Sequence, residues 1–126
     1  KMIKGLEAVL IGSPNAAKLA EFYREVVGLK QGEVMEIGDD KEEGYEFKLG
    51  NCALYIIDHS KVKGKNSLPD RIMFNLEVDD IEKEVKRLKK AGARLVQDIY
   101  HVEDYGHIAT FADTDGNYFQ LVKTRP

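Results

Sequence analysis

The sequence predicts an α+β fold made of two tandem βαβββ modules. Three observations predict it: a polar break near the middle, a strand–helix–strands order on each side, and an alignment of the two halves. The break is SKVKGKNSLPD at 60–70, where Gly64 and Pro69 interrupt regular structure. A chain of 126 residues fills one domain, divided into module one (1–60), a linker (61–70) and module two (71–126).

Leu6 to Gly12 is a short apolar run that reads as the first strand. Residues 15–27 follow as a helix, with Leu19, Phe22, Tyr23 and Val26 at helical spacing. Asn15 or Ser13 caps its start, and Gly28 stands where it ends. Two or three strands come next, the clearest being Tyr45 to Leu49 and Cys52 to Ile57, joined at Gly50-Asn51. In the second half Ile72 to Val78 is a strand. Asp79 or Asp80 then caps a helix carrying Ile81, Val85 and Leu88 on one stripe, which Gly92 stops. Strands near 94–98, 107–112 and 118–123 complete the module.

Both halves thus read βαβββ. Gly44-Tyr-Glu-Phe-Lys-Leu leads to Gly50-Asn51 as Gly106-His-Ile-Ala-Thr-Phe leads to Gly116-Asn117. The closing segment DTDGNYFQLV (113–122) reads as a tight turn at Asp115-Gly116-Asn117 feeding the last strand. Together with FYREVVGL (22–29) and VDD (78–80), it resembles the D-P-D-G-N-x-x-E-L pattern of the vicinal oxygen chelate (VOC) superfamily, the glyoxalase/bleomycin-resistance/dioxygenase group. The resemblance runs along nearly the whole chain. It implies a curved mixed sheet around a cleft, completed by dimerisation. That architecture serves metal-dependent chemistry in some members and drug sequestration in others, so fold does not fix function.

The resemblance also implies where an ion would sit: four side chains, which in this chain fall on Ala8, Leu54, Met73 and Gln120. The duplication supports that mapping, since Ala8 and Met73 lie 65 residues apart and Leu54 and Gln120 lie 66 apart. A divalent site needs three or four His, Asp, Glu or Cys donors, and Ala, Leu, Met and Gln supply none. The expectation is a cleft with no metal and no cofactor. Glu7 lies one step from Ala8, but one step along a strand reverses the face.

Strand parity predicts what the cleft contains. Phe74, Leu76 and Val78 make a row for packing under the helix, leaving Met73, Asn75 and Glu77 toward the cleft. Tyr118 and Gln120 join them from the last strand, and Cys52, Leu54 and Ile56 from module one. Tyr45, Phe47, His107 and Phe111 on neighbouring strands are further lining candidates. The predicted ligand-binding set is Leu54, Met73, Asn75, Tyr118 and Gln120: apolar ground with a few orienting polar groups. Asn75 and Gln120 have an alternative use, bonding each other. His107, whose ordinary pKa is near neutrality, and Glu77 are the candidate acid/base groups. His59 and His101 read as solvated loop positions, and Lys86 to Lys90 as the outer face of the second helix.

The bulk properties narrow the partners. With 19 Lys plus Arg against 22 Asp plus Glu, a formal charge of −3, the chain carries no basic excess for nucleic acid or anionic membranes. One cysteine, Cys52, forms no internal disulfide, and no apolar run has membrane length; both fit a cytoplasmic protein. The leading expectation is a metal-independent, bleomycin-resistance-like protein that sequesters a small organic molecule as a homodimer. The alternative is a glyoxalase I, epimerase or dioxygenase-like lyase or isomerase with displaced metal ligands. A third is ion-free catalysis through His107 or Glu77.

Overall fold

The computed structural model describes residues 2–37 and 40–125. The chain forms two compact units, Lys1–Gly64 and Lys65–Pro126. Each carries a four-stranded sheet and one helical segment.

In the first unit, strand β1 (Ala8–Ser13) leads into helix α1 (Ala16–Glu21). The junction is fixed by three acceptors. Ser13 Oγ takes the Asn15 N–H at 3.1 Å, Asp58 Oδ1 takes Ala16 N–H at 3.1 Å, and Asn15 Oδ1 takes Lys18 N–H at 3.2 Å. These satisfy amides that a helix start leaves without partners. The predicted single helix over 15–27 is interrupted: from Phe22 to Val27 the chain widens into a π-helical turn, with Tyr23 O accepting from both Gly28 and Leu29. The wider turn shifts the phase of the buried face, so Val27 is buried where α-helical spacing selects Val26. Gly28, at φ 91°, ends it in a conformation that glycine adopts without strain.

Strands β2 (Gln31–Ile37), β3 (Glu42–Leu49) and β4 (Cys52–Asp58) follow. The sheet order is β1-β4-β3-β2, with β1 and β4 parallel and the other pairs antiparallel. In the register Val9 lies opposite Leu54 and Ile11 opposite Ile56, while Phe47 faces Leu54 and Tyr45 faces Ile56. Leu54, Ile56 and Phe47 are almost fully buried, as are Leu19, Ala20 and Tyr23 of the helical segment, which packs on β3 and β4. This is the core of the unit.

The second unit repeats the order. Strand β5 (Phe74–Glu77) is shorter than the predicted Ile72 to Val78. Asp80 caps helix α2 (Ile81–Lys90) by accepting Lys83 N–H at 3.1 Å, and Ile81, Val85 and Leu88 are its buried stripe. Burying three such side chains stabilises the unit by about 1.5–3 kcal/mol each. Strand β6 (Arg94–Val102) runs four residues beyond the predicted 98, which places His101 on a strand rather than in a loop. β7 (Gly106–Ala112) and β8 (Tyr118–Thr124) close the sheet, ordered β5-β8-β7-β6. The core lies between α2 and the row of Phe119, Leu121, Phe111 and Ala109, all at most 2% exposed. Phe74, Phe119 and Phe111 stack along it at 6.2 and 6.0 Å.

The predicted turn at Asp115-Gly116-Asn117 is organised by Asp113. Its carboxylate accepts the N–H groups of Asp115 and Asn117 and the Asn117 side-chain amide, at 2.9, 3.0 and 3.1 Å. Gly116 takes φ 82°, the left-handed conformation the bend requires. Among the described residues no helix is long and apolar enough to cross a membrane.

Candidate functional site

Each sheet has one face against its helix and one face turned away. On β5 and β8 of module two, the parallel register pairs Asn75 with Gln120 and Glu77 with Val122, opposite in parity to the helix-side Phe74–Phe119 row. The antiparallel register sets Thr110 beside Gln120, Ala112 beside Tyr118 and Ile108 beside Val122. Asn75, Tyr118, Gln120 and Glu77 therefore share the helix-free face. Ile108, Ala112 and Val122 provide buried apolar ground beside them. Met73 immediately precedes β5 and is 38% exposed.

The amides of Asn75 and Gln120 are adjacent, yet each is turned to another partner. Gln120 Nε2 donates to Thr110 Oγ1 at 3.0 Å, and Asn75 Nδ2 donates to the Tyr105 phenol oxygen at 2.9 Å. Each amide is thus held through one of its own N–H groups, leaving its carbonyl oxygen able to accept from another molecule. Glu77 is exposed, and its carboxylate accepts the hydroxyl of Thr124. Thr110, at 5% exposure, and Tyr105 were not among the sequence-derived candidates. The alternation of Ile108, Thr110 and Ala112 against Ala109 and Phe111 is the signal that finds Thr110; Tyr105 sits in a turn where no periodicity points.

Module one corrects the predicted lining. Leu54 does not lie on the helix-free face: it is 2% exposed and paired with Phe47 and Val9 in the helix-side layer. Cys52 and Ile56 share its parity, as do Tyr45 and Phe47 of β3. The reason is turn length. Gly50-Asn51 alone joins β3 to β4, whereas five residues, Asp113 to Asn117, join β7 to β8. Matching the two Gly-Asn pairs slips the comparison by one residue, and one residue reverses the face. In the ladders Gln120 pairs with Thr110 and Asn75, and the residue so placed in module one is Tyr55, which pairs with Glu46 and Leu10. Tyr55 repeats the bond of Gln120: its hydroxyl donates to Glu46 Oε2 at 3.1 Å. Glu46 is 8% exposed and also accepts Glu33 N–H at 3.3 Å. The hydrogen bond to the Glu46 carboxylate, then burial, raises the Tyr55 phenol above its ordinary value of 10.0.

His107 and Phe111 likewise lie on the helix side of their sheet. Phe111 is fully buried, and His107 stands against His101, the ring centres 4.8 Å apart. His107 is therefore not beside Asn75 and Gln120. His59 is exposed past the end of β4, its Nδ1 accepting Lys61 N–H at 3.2 Å.

Taken unit by unit, the positions the resemblance implies for an ion carry Ala8 and, at the ladder position of Gln120, Tyr55 rather than Leu54 in the first, and Met73 and Gln120 in the second. A methyl group, a thioether and an amide whose nitrogen is engaged by Thr110 offer a divalent ion little. The phenol of Tyr55 is held in its neutral form. Among the described residues no three His, Cys, Asp or Glu side chains group so as to hold a metal ion. These residues do not fit the family's ion. Among the described residues, cavities form at two further places, the second touching this face through Glu77. One of about 170 Å³ is lined by Pro14, Glu42, Asp58, His59, Ser60, Val62 and Lys63. The other, about 400 Å³, is an acidic groove at the start of α2 formed by Glu77, Val78, Asp79, Asp80, Lys83 and Glu84.

A family model described as a glyoxalase-like domain matches residues 8–122. No curated protein matches the sequence. Among solved structures, the chain is similar to TnmS3, an antibiotic binding protein from Streptomyces sp. CB03234, with 20% identity, 99% of each chain covered and a TM-score of 0.78. It is similar to a glyoxalase family protein from Enterococcus faecalis, with 20% identity, 98% of this chain and 100% of that chain covered and a TM-score of 0.78. A glyoxylase/bleomycin resistance protein/dioxygenase domain from Frankia sp. EAN1pec is similar at 18% identity, covering 98% and 99%, with a TM-score of 0.79. At these identities the likeness speaks for the fold.

Proposed function

The chain belongs to the glyoxalase-like domain family, and from that membership we propose that it binds a small, neutral organic molecule without a metal ion. What supports the reading is the chemistry at the positions the resemblance implies for an ion, Ala8 and Tyr55 in one unit and Met73 and Gln120 in the other. Evolution of a catalyst around a divalent ion leaves carboxylates and imidazoles there; a binding face needs hydrogen-bonding groups on apolar ground. Asn75, Gln120, Thr110 and Tyr118 are all uncharged, and the one acid on their face, Glu77, is engaged by Thr124. A neutral ligand with hydrogen-bond donors and flat apolar surface suits that set, because the groups nearest Gln120 are uncharged amides and hydroxyls on apolar ground. The fold is one that TnmS3, an antibiotic binding protein, also uses. Leu10, Leu68 and Ile72, each at least 60% exposed, support self-association as a homodimer.

Thermal-shift and calorimetric titration against uncharged antibiotics and metabolites test the reading. A ligand present at 100 times its Kd adds about 2.7 kcal/mol of stability. Asn75→Ala and Gln120→Ala should each weaken binding by about 1–2 kcal/mol, about five- to thirtyfold in Kd. A panel without a single binder, or a binder indifferent to both substitutions, removes the proposal.

A further inference from the structure

The only paired imidazoles among the described residues are His101 and His107, and nothing in the binding face described above uses them. They are six positions apart in sequence, with no His-x-His spacing. The hairpin between β6 and β7 sets them directly opposite each other. Their ring centres are 4.8 Å apart and the rings are inclined at 43°. His101 is exposed and His107 half-buried, so water and ions reach the pair.

We propose that His101 and His107 form a two-imidazole clip for a borderline divalent ion, Cu²⁺ or Zn²⁺, independent of the organic ligand. A metal–nitrogen bond of about 2.0–2.1 Å puts the ion about 3.2 Å from each ring centre. Two rings on one ion then have centres about 4.5 Å apart at a right angle and about 5.2 Å apart at the tetrahedral angle. The observed separation lies inside that interval, so an ion is captured by rotating two side chains and moving no backbone. A neutral imidazole offers one ring-nitrogen lone pair, and imidazole is a preferred donor for copper and zinc. No third donor joins them among the described residues, so water fills the remaining positions. One group opposes binding: Lys123 is the partner of His107 in β8 and shares its face. Its ammonium repels an incoming cation, which gives the clip an internal control.

The test is titration of chelator-stripped protein with Cu²⁺ alone, followed by calorimetry and by electron paramagnetic resonance. The expected result is one ion per chain with two nitrogen ligands. His101→Ala and His107→Ala should each weaken affinity about tenfold or more, and the double substitution should add little to either single loss. Lys123→Gln should tighten binding about two- to threefold at low salt and less in high salt. His101 lies on an edge strand and is exposed, so its variant keeps the test intact if His107→Ala fails to fold. Equal copper affinity in the wild type and His101→Ala, or a spectrum with one nitrogen in the wild type, overturns the proposal.

Discussion

Truncating Leu54 separates the observed register from the one suggested by matching Gly50-Asn51 with Gly116-Asn117. In the observed register Leu54 is 2% exposed and packed with Phe47 and Val9 under the helical segment. Leu→Ala at such a site removes buried methyl groups and leaves a cavity, together about 2–5 kcal/mol. Phe47 and Ile56 beside it are themselves fully buried, so little collapse can fill the space, and a value of about 3 kcal/mol is expected. With a urea dependence of about 1.5 kcal/mol per molar, the unfolding midpoint falls by about 2 M. Tyr55→Phe, one residue on, deletes only a hydroxyl and its bond to Glu46, and should lower stability far less than Leu54→Ala. Urea unfolding followed by circular dichroism reads both. If Leu54→Ala loses less than about 1 kcal/mol, Leu54 faces away from the helix and the assignment of faces is wrong.

Other consequences follow from individual contacts. Thr110→Val removes the acceptor of Gln120 Nε2 at a site 5% exposed; a double-substitution cycle with Gln120→Leu should give a coupling of about 0.5–1.5 kcal/mol, and zero coupling refutes the bond. Asp113→Ala strips three donors of one nearly buried acceptor and should lower stability by about 2–3 kcal/mol by urea unfolding. The Tyr55 phenol is raised above 10.0 in the folded protein by its bond to Glu46. Its contribution to stability is therefore present below the unfolded value and lost as pH rises through the folded one. Stability above pH about 10 should fall more steeply in the wild type than in Tyr55→Phe, and near-ultraviolet titration should show one late-ionising tyrosine that the variant lacks.

The fold was legible because its signals are local and repeated. The Ile81, Val85 and Leu88 stripe, the Asp80 cap and the Asp115-Gly116-Asn117 turn each encode geometry within a few residues. The site was half legible. On β5 and β8 alternation alone assigned Asn75, Gln120 and Tyr118 to one face, since these strands have a clear apolar row opposite. β4 offers no such row: Ala-Leu-Tyr-Ile-Ile is apolar on both faces, so parity needed an outside anchor, and unequal turns made the Gly-Asn anchor slip by one. His107 failed for the same reason, because β7 is buried at nearly every position. The π-helical turn after Glu21 could not be read from spacing because Val26 and Val27 are both apolar; it shows in the burial of Val27 and in the two bonds that Tyr23 O accepts.

On the proposed reading, the face carrying Asn75 and Gln120 holds an organic ligand with no ion. Calorimetric titration of the His101→Ala/His107→Ala protein with a ligand from the panel, before and after removal of metals by chelator, tests it most directly. That background removes any ion held at the imidazole pair. The Kd should be the same in both preparations, and elemental analysis should find no stoichiometric metal. Binding or turnover that disappears with chelator and returns with a divalent ion would contradict it.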